Sequence, residues 1–205
     1  GTGAGKALSH LSQRPLPAAQ TELELRVSMP LLIGAYTYQV APDAFFQVNT
    51  AVAARLVEEV LRALALQGQE QVLELYCGIG LLTVPIAAGA GVVVGIEANA
   101  TATADAVRAA VGDRVELSTA PVEQALHQAA LQERTWDALV LDPPRAGVTA
   151  QALTLLLNLA VSKVVYVSCD PATLARDAQF FCANGYRLVY AQPLDMFPQT
   201  HHVET

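Results

Sequence analysis

From residue 71 onward, the chain alternates short runs of β-branched and aliphatic residues with stretches of helical periodicity. The predicted strands cover residues 71–76, 92–96, 114–118, 136–141, 164–167 and 186–191, and the predicted helices cover residues 82–88, 101–111, 149–160 and 174–184. Strands that alternate with helices at this spacing are typical of βαβ units with a parallel sheet. The pattern therefore predicts an α/β fold with a doubly wound, mostly parallel sheet and an antiparallel final element.

The first part of the chain has a different organisation. Residues 1–20 combine Gly, Ala, Pro, Ser and Gln without periodicity and are predicted to form a flexible or truncated lead-in. Residues 21–27 and 36–40 read as two strands, which we expect to pair within a small N-terminal β unit over residues 21–47. The main domain is predicted to span residues 48–205 and to begin with a helix over residues 51–66, with Asn49 or Thr50 as its N-cap.

Composition limits the classes of protein that the chain can belong to. Hydrophobic residues make up 53% of the chain and charged residues 15%, which favours a folded globular domain. No apolar run is long and unbroken enough to predict a membrane span. Cys77, Cys169 and Cys182 fit neither a disulfide framework nor a tetrahedral metal site, so we expect a cytoplasmic protein without a metal. A net charge of −7 argues against a strong unaided grip on nucleic acid.

One predicted strand, residues 164–167, leads directly to Cys169, and Pro171 stops the strand two residues later. In an α/β sheet, the chemistry takes place beyond the carboxyl ends of the strands. Cys169 is therefore predicted to lie on that rim as a candidate nucleophile. The alternative is that Cys169 is a small buried hydrophobe, the commonest state of a free cysteine.

The first predicted strand of the α/β region ends at a Gly-x-Gly turn formed by Gly78 and Gly80. Glycines at this point let a ligand approach the backbone, and Glu97 follows at the tip of the second strand, where a carboxylate can accept both ribose hydroxyls. Thr83 stands where a dinucleotide fingerprint has its third glycine. The pattern therefore favours S-adenosylmethionine over a dinucleotide. The alternative for Glu97 is a solvated strand-end carboxylate.

The fourth predicted strand ends in Asp142-Pro143-Pro144-Arg145. The two prolines favour a rigid, extended turn, which holds Asp142 at the rim beside the predicted cofactor. Methyltransferases that act on amino groups of nucleic acids carry an aromatic residue after this Asp-Pro-Pro. Arg145 in that place counts against amine methylation.

These residues together resemble a known family, the RNA 5-methyluridine (uracil-C5) methyltransferases. The matching stretches are residues 45–49 (FFQVN), 73–80 (LELYCGIG), 142–145 (DPPR), 168–177 (SCDPATLARD) and 195–204 (DMFPQTHHVE). The resemblance implies a Rossmann-like methyltransferase fold, S-adenosylmethionine as cofactor, and a uridine in structured ribosomal or transfer RNA as substrate. It also implies that Cys169 is the nucleophile and Glu204 the base, and that Gln47, Tyr76, Glu97 and Asp142 contact the cofactor.

The chain also departs from this family. The usual N-terminal RNA-binding barrel and iron–sulfur cysteine cluster are absent, so the resemblance predicts that the RNA grip is supplemented by a missing domain. Arg145 and Arg176 either contact phosphate or brace the Cys169 loop, and His201 and His202 are predicted to brace the loop that carries Glu204. Two other functions stay open: a non-catalytic cofactor- or RNA-binding module of the same fold, and an amine or small-molecule methyltransferase.

Overall fold

The computed structural model describes residues 29–40, 49–109, 113–131, 134–196 and 203–205. Its strands are β1 (Met29–Ile33), β2 (Tyr36–Val40), β3 (Gln71–Leu75), β4 (Val92–Glu97), β5 (Val115–Thr119), β6 (Ala138–Leu141) and β7 (Val164–Tyr166). Its helices are α1 (Thr50–Leu64), α2 (Thr83–Gly89), α3 (Ala100–Ala109), α4 (Val122–Leu131), α5 (Ala150–Asn158) and α6 (Pro171–Ala183). None of the helices in these ranges is both long and apolar enough to cross a membrane.

Five strands form one parallel sheet in the order β5-β4-β3-β6-β7. The chain first builds outward from β3 to β5 and then returns to the other side of β3, where it adds β6 and β7. The strand order therefore reverses between β3 and β6, and in open α/β sheets a ligand binds at this reversal, beyond the carboxyl ends of the strands. The predicted doubly wound parallel sheet is confirmed.

The sheet is covered on both faces, which explains why its central strands are almost continuously apolar. All four residues of β6 are buried, whereas the three residues of the edge strand β7 are only partly buried. One core packs α1, α2 and the β1–β2 hairpin together, and the other packs α4, α5 and α6. The two cores cover the two faces of the parallel sheet, so the carboxyl ends of its five strands lie along one edge.

The N-terminal hairpin differs from the sequence prediction in its first strand. Along its whole length β2 pairs with β1, from Ile33 opposite Tyr36 to Met29 opposite Val40. The predicted partner, residues 21–27, lies outside the described residues, and so does the predicted domain boundary at residue 47. Tyr38 is fully buried and its hydroxyl donates to the Leu81 carbonyl at 2.8 Å, so the hairpin shares the core of the α/β domain.

Two further elements differ from the sequence prediction. The helix α4 was not predicted, although Val122, Ala125 and Leu126 have helical spacing and are buried. The predicted strand over residues 186–191 is wrong, because these residues join no ladder within the part of the chain that the structure describes. Leu188 and Val189 are exposed, and no strand of the described residues covers them. Within the described residues, the antiparallel final element is a bridge between Leu194 and Glu204.

Candidate active site at the carboxyl edge of the sheet

The turn after β3 and the tip of β4 meet as the sequence predicts. The Glu97 carboxylate accepts hydrogen bonds from the backbone N–H of Gly78 at 3.0 Å and from that of Asn99 at 2.7 Å. These bonds fix the carboxylate beside the Gly-x-Gly turn. Because each carboxylate oxygen accepts more than one hydrogen bond, the half-buried Glu97 retains acceptor capacity for two adjacent hydroxyl groups.

The backbone of this turn is left-handed at three positions. Tyr76, Gly78 and Gly80 have φ values of 63°, 54° and 86°. A Cβ atom at Gly80 would lie 3.2 Å from the Cβ of Ala106, whereas nothing lies within 4 Å of a Cβ at Gly78. The open space above Gly78 lets a ligand approach the backbone, and the constraint at Gly80 comes from its packing against α3. Tyr76 is the strained position, because a non-glycine residue rarely adopts a positive φ.

The turn after β6 places Asp142 among other carboxylates. The Asp142 N–H donates to the Leu75 carbonyl at 3.3 Å, which anchors the start of the turn to β3. Burial, and then the negative charges of Glu204 and Glu97, raise the pKa of Asp142 to about 7. Three predicted site residues therefore lie close enough to influence one another, although they come from three distant parts of the sequence.

The loop that carries Cys169 is held at both ends. The Asp170 side chain caps α6 by accepting from the backbone N–H groups of Ala172 at 2.9 Å and Thr173 at 3.0 Å. Ser168 supports the other end, because its hydroxyl donates to the Asp170 carbonyl and accepts from the Asp170 N–H. Pro171 occupies the first turn of α6, where its missing N–H costs no hydrogen bond. Cys169 thus lies half-buried in a short loop that is hydrogen-bonded on both sides.

Backbone pairing brings Glu204 to this loop. Thr205 and Ser168 exchange both backbone hydrogen bonds at 2.9 Å, and Glu204 and Leu194 exchange bonds of 2.7 and 3.1 Å. Residues that exchange both bonds form the hydrogen-bonded pair of an antiparallel ladder. The stretch from Glu204 to Thr205 therefore lies between Ser168 and Leu194, with the Glu204 side chain only 3% exposed.

The charges around Cys169 act in opposite directions on its thiol. Burial and the neighbouring carboxylates of Glu204 and Asp142 raise the pKa of Cys169, while a hydrogen bond and the positive charge from Arg145 lower it. The net shift is upward. Among the described residues, Arg145 is thus the group that favours the thiolate, the nucleophilic form of cysteine.

A buried acid beneath the site, Glu74, was not among the residues predicted from the sequence. Glu74 is 1% exposed in β3, and burial raises its pKa to about 8, so it is largely neutral at pH 7. Its Oε2 atom and the Oγ1 atom of Thr83 are buried without a hydrogen-bond partner among the described residues. The available signal was a lone Glu inside the apolar run before the Gly-x-Gly turn.

The other singled-out residues divide into three groups. Arg145 contacts the Cys169 thiol, whereas Arg176 donates to the carbonyls of Ala146 and Val148 and so braces a loop. Cys77 is buried with a pKa far above its usual range, chiefly because of burial, and Cys182 is exposed. Gln47, His201 and His202 lie outside the described residues.

Comparison with known proteins identifies relatives of the chain. A family model described as tRNA (uracil-5-)-methyltransferase matches residues 24–205. A 23S rRNA (uracil(1939)-C(5))-methyltransferase from Photobacterium angustum is 41% identical, over 80% of this chain and 76% of that protein. A protein of the same description from Nitrosococcus oceani is 45% identical over 80% of this chain and 38% of that protein.

An uncharacterised RNA methyltransferase from Thermosynechococcus vestitus is 40% identical over 82% of this chain and 38% of its own length. The chain thus spans well under half of several of the relatives that it matches. Among solved structures, the tRNA (uracil-54, C5)-methyltransferase of Pyrococcus abyssi, in complex with S-adenosyl-L-homocysteine, superimposes with a TM-score of 0.72. It is 29% identical, and the match covers 86% of this chain and 43% of that one.

Proposed function

The chain belongs to the tRNA (uracil-5-)-methyltransferase family, and we propose that it transfers a methyl group from S-adenosylmethionine to C5 of a uridine in structured ribosomal or transfer RNA. The observation that carries this proposal is the meeting of Cys169, Glu204, Asp142 and Arg145 at one edge of the sheet. A protein that only binds RNA or a cofactor has no need of a half-buried thiol flanked by two acids and an arginine.

The described residues fit the proposed cofactor. Gly78 leaves open space above the backbone, and Glu97 is fixed beside it with acceptor capacity suited to ribose hydroxyls. Tyr76, Gly80 and Asp142 border the same edge, so we propose these five residues as the cofactor site, together with Gln47 by family resemblance. S-adenosylmethionine supplies an electrophilic methyl group when it is bound.

The proposed chemistry uses covalent catalysis because C5 of uracil is a poor nucleophile. The Cys169 thiolate adds to C6, and the electron pair of the C5–C6 bond moves toward the C4 carbonyl to give an enolate. C5 would then bond to the methyl carbon, while the bond from that carbon to the sulfonium sulfur breaks and S-adenosylhomocysteine leaves. Glu204 removes the remaining proton from C5, the electrons of the C5–H bond form the C5–C6 double bond, and the C6–S bond breaks to release the thiolate.

The target uridine has to be unstacked, since a side chain reaches C6 only when the base is turned out of its helix. Arg145 favours the thiolate before addition, and the raised pKa of Asp142 keeps one of the two neighbouring acids partly neutral near pH 7. Both effects reduce the free-energy cost of forming the negatively charged Cys169 thiolate beside Glu204.

A denaturing gel with RNA that contains 5-fluorouridine tests this proposal. Fluorine at C5 cannot leave as a proton does, so the thiolate stays bonded to C6 after methyl transfer. In the presence of S-adenosylmethionine, the unmodified protein and the Cys182→Ala control are expected to give a slow-migrating adduct. Cys169→Ala is expected to give none.

An adduct that persists in Cys169→Ala would contradict the assignment of the nucleophile. Failure to form an adduct even after fusion to a basic RNA-binding domain, with cofactor binding verified by calorimetry, would favour the non-catalytic binding module. Methylation of an amino group or of a small molecule, detected by mass spectrometry of the product, would favour an amine or small-molecule methyltransferase.

A further inference from the structure

A fully buried carboxylate in α6 joins three elements of the site. Asp177 Oδ2 accepts from the Val148 N–H at 2.9 Å and from the Tyr166 hydroxyl at 2.6 Å, and its Oδ1 accepts from Arg176 Nε at 2.8 Å. Arg176 Nη2 donates in turn to the carbonyls of Ala146 at 3.0 Å and Val148 at 3.2 Å. We call Asp177, Arg176 and Tyr166 the Asp177 clamp.

The loop of residues 144–148 packs against the clamp so closely that no side-chain atom fits at Gly147. Gly147 has φ +73°, and a Cβ atom there would lie 2.5 Å from Arg176 Nη2 and 2.6 Å from Asp177 Oδ2. Its N–H donates to the Pro144 carbonyl at 2.8 Å, which closes a tight turn. Residues 144–148 are therefore seated directly on the clamp.

The clamp thus connects the two segments that carry the reactive groups. The first segment is the turn after β6, residues 142–148, which contains Asp142 and Arg145. The second is α6, which begins immediately after the Cys169 loop. We propose that Asp177 is a positioning residue of the active site, which sets Arg145 against the Cys169 thiol by holding the turn to α6. This inference rests on the proposed function.

Energetic considerations support a role beyond stability. A buried carboxylate is costly unless several donors compensate it, and an apolar replacement of similar volume often stabilises a protein as well or better. Here the donors come from the turn, from β7 and from α6 itself, so the arrangement defines a geometry. Of the groups facing Cys169, Asp142 is anchored to β3 at the start of the turn, whereas Arg145 lies further along it.

Loss of the clamp is therefore expected to displace Arg145 more than Asp142 or Glu204. The thiol would then retain its acidic neighbours and lose its cationic one. The test uses Asp177→Asn, which keeps the size of the side chain but removes the charge and one acceptor oxygen. In a Cys182→Ser background, the rate of Cys169 alkylation by iodoacetamide is measured as a function of pH.

Asp177→Asn is expected to move the alkylation midpoint upward by about one pH unit. It is also expected to lower kcat for RNA methylation about tenfold or more, with the KM for S-adenosylmethionine changed less than about twofold. Tyr166→Phe, which removes one donor and leaves the carboxylate, is expected to give a smaller shift in the same direction. It serves as the second variant if Asp177→Asn does not fold.

Val60→Ala in α1 is the control, because Val60 is buried in the core on the opposite face of the sheet. It is expected to lower the melting temperature without moving the alkylation midpoint. If the clamp variants lose stability as this control does but keep the midpoint and kcat, the inference is overturned. Alkylation requires no RNA, so failure of the unmodified protein to form the 5-fluorouridine adduct at RNA concentrations above its measured Kd would reject the proposed function separately.

Discussion

At the scale of single residues, burial and neighbouring charges shift the pKa values of the ionisable groups at the site. Cys169 is half-buried between two carboxylates and one arginine, and Glu204 is almost completely buried beside it. The roles proposed for the two residues differ, so their substitutions are expected to differ as well.

Cys169→Ala is expected to abolish turnover and leave the fold intact, because a half-buried loop residue is replaced by a smaller apolar one. The measurement is methyl incorporation from labelled S-adenosylmethionine, with circular dichroism as the check on folding. Turnover at the level of the Cys182→Ala control would exclude the covalent mechanism.

Glu204→Gln is expected to stop the reaction after methyl transfer, because the amide cannot take the C5 proton. The thiolate then has no route to leave, and a covalent RNA adduct should accumulate on ordinary uridine substrates. A denaturing gel measures the adduct. Its absence, with a substrate that the unmodified protein methylates, would remove Glu204 from the role of base.

Glu74 provides a prediction about stability and pH. Its folded pKa of about 8 lies above the value of an exposed Glu, so the folded state binds the proton more tightly than the unfolded state. Its contribution therefore favours folding at low pH and declines as the pH rises from about 4 to about 8, by at most about 1.4 kcal/mol per pH unit. Glu74→Gln is expected to flatten the fall in melting temperature between pH 5 and pH 8. An unchanged slope would contradict the raised pKa.

At the scale of secondary-structure elements, helix ends place the reactive groups. Asp170 caps α6 directly after Cys169, and Thr149 caps α5 by accepting from the Ala152 N–H. Asp170 accepts two backbone hydrogen bonds through a carboxylate and Thr149 accepts one through a hydroxyl, and only Asp170 adjoins the thiol. They therefore form a pair for separating stability from reactivity.

Asp170→Ala and Thr149→Ala are each expected to lower the free energy of unfolding by about 1 kcal/mol. Asp170→Ala is expected in addition to slow the alkylation of Cys169, since the loop loses its attachment to the helix. Urea unfolding gives the first quantity and iodoacetamide kinetics the second. Equal alkylation rates in both variants would mean that the cap serves stability alone.

At the scale of the whole molecule, the charge opposes the proposed substrate. The chain has 12 Lys and Arg residues against 19 Asp and Glu, which gives a net charge of −7. Binding to RNA depends largely on phosphate contacts from basic residues. The chain is therefore expected to hold RNA weakly.

We expect the chain on its own to bind transfer or ribosomal RNA with Kd in the non-specific range of about 10⁻⁴–10⁻⁶ M at physiological salt. Fluorescence anisotropy with labelled RNA measures this, and fusion to a basic RNA-binding domain should tighten binding and increase its salt dependence. Submicromolar binding by the chain alone would show that a local basic patch outweighs the net charge.

The sequence predicted much of the fold because its strongest signals are local. The apolar runs of β3, β4 and β6 and the Asn49 cap of α1 need only neighbouring residues to be recognised. The pairing of β2 with β1 and the absence of a ladder over residues 186–191 did not follow, because a strand is defined by its partner. A run of apolar residues does not identify that partner.

For the site, periodicity and spacing placed Cys169, Asp142, Glu97 and the Gly-x-Gly turn at strand ends, and family resemblance added Glu204. Only the tertiary structure decided that Glu204 reaches Cys169, since this depends on backbone pairing between Thr205 and Ser168. The raised pKa of Glu74 and the Asp177 clamp were likewise decided by packing. Burial and long-range hydrogen bonds are properties of the folded chain: a lone Glu in an apolar run indicates that Glu74 is buried, but no local pattern gives its pKa or the partners of Asp177.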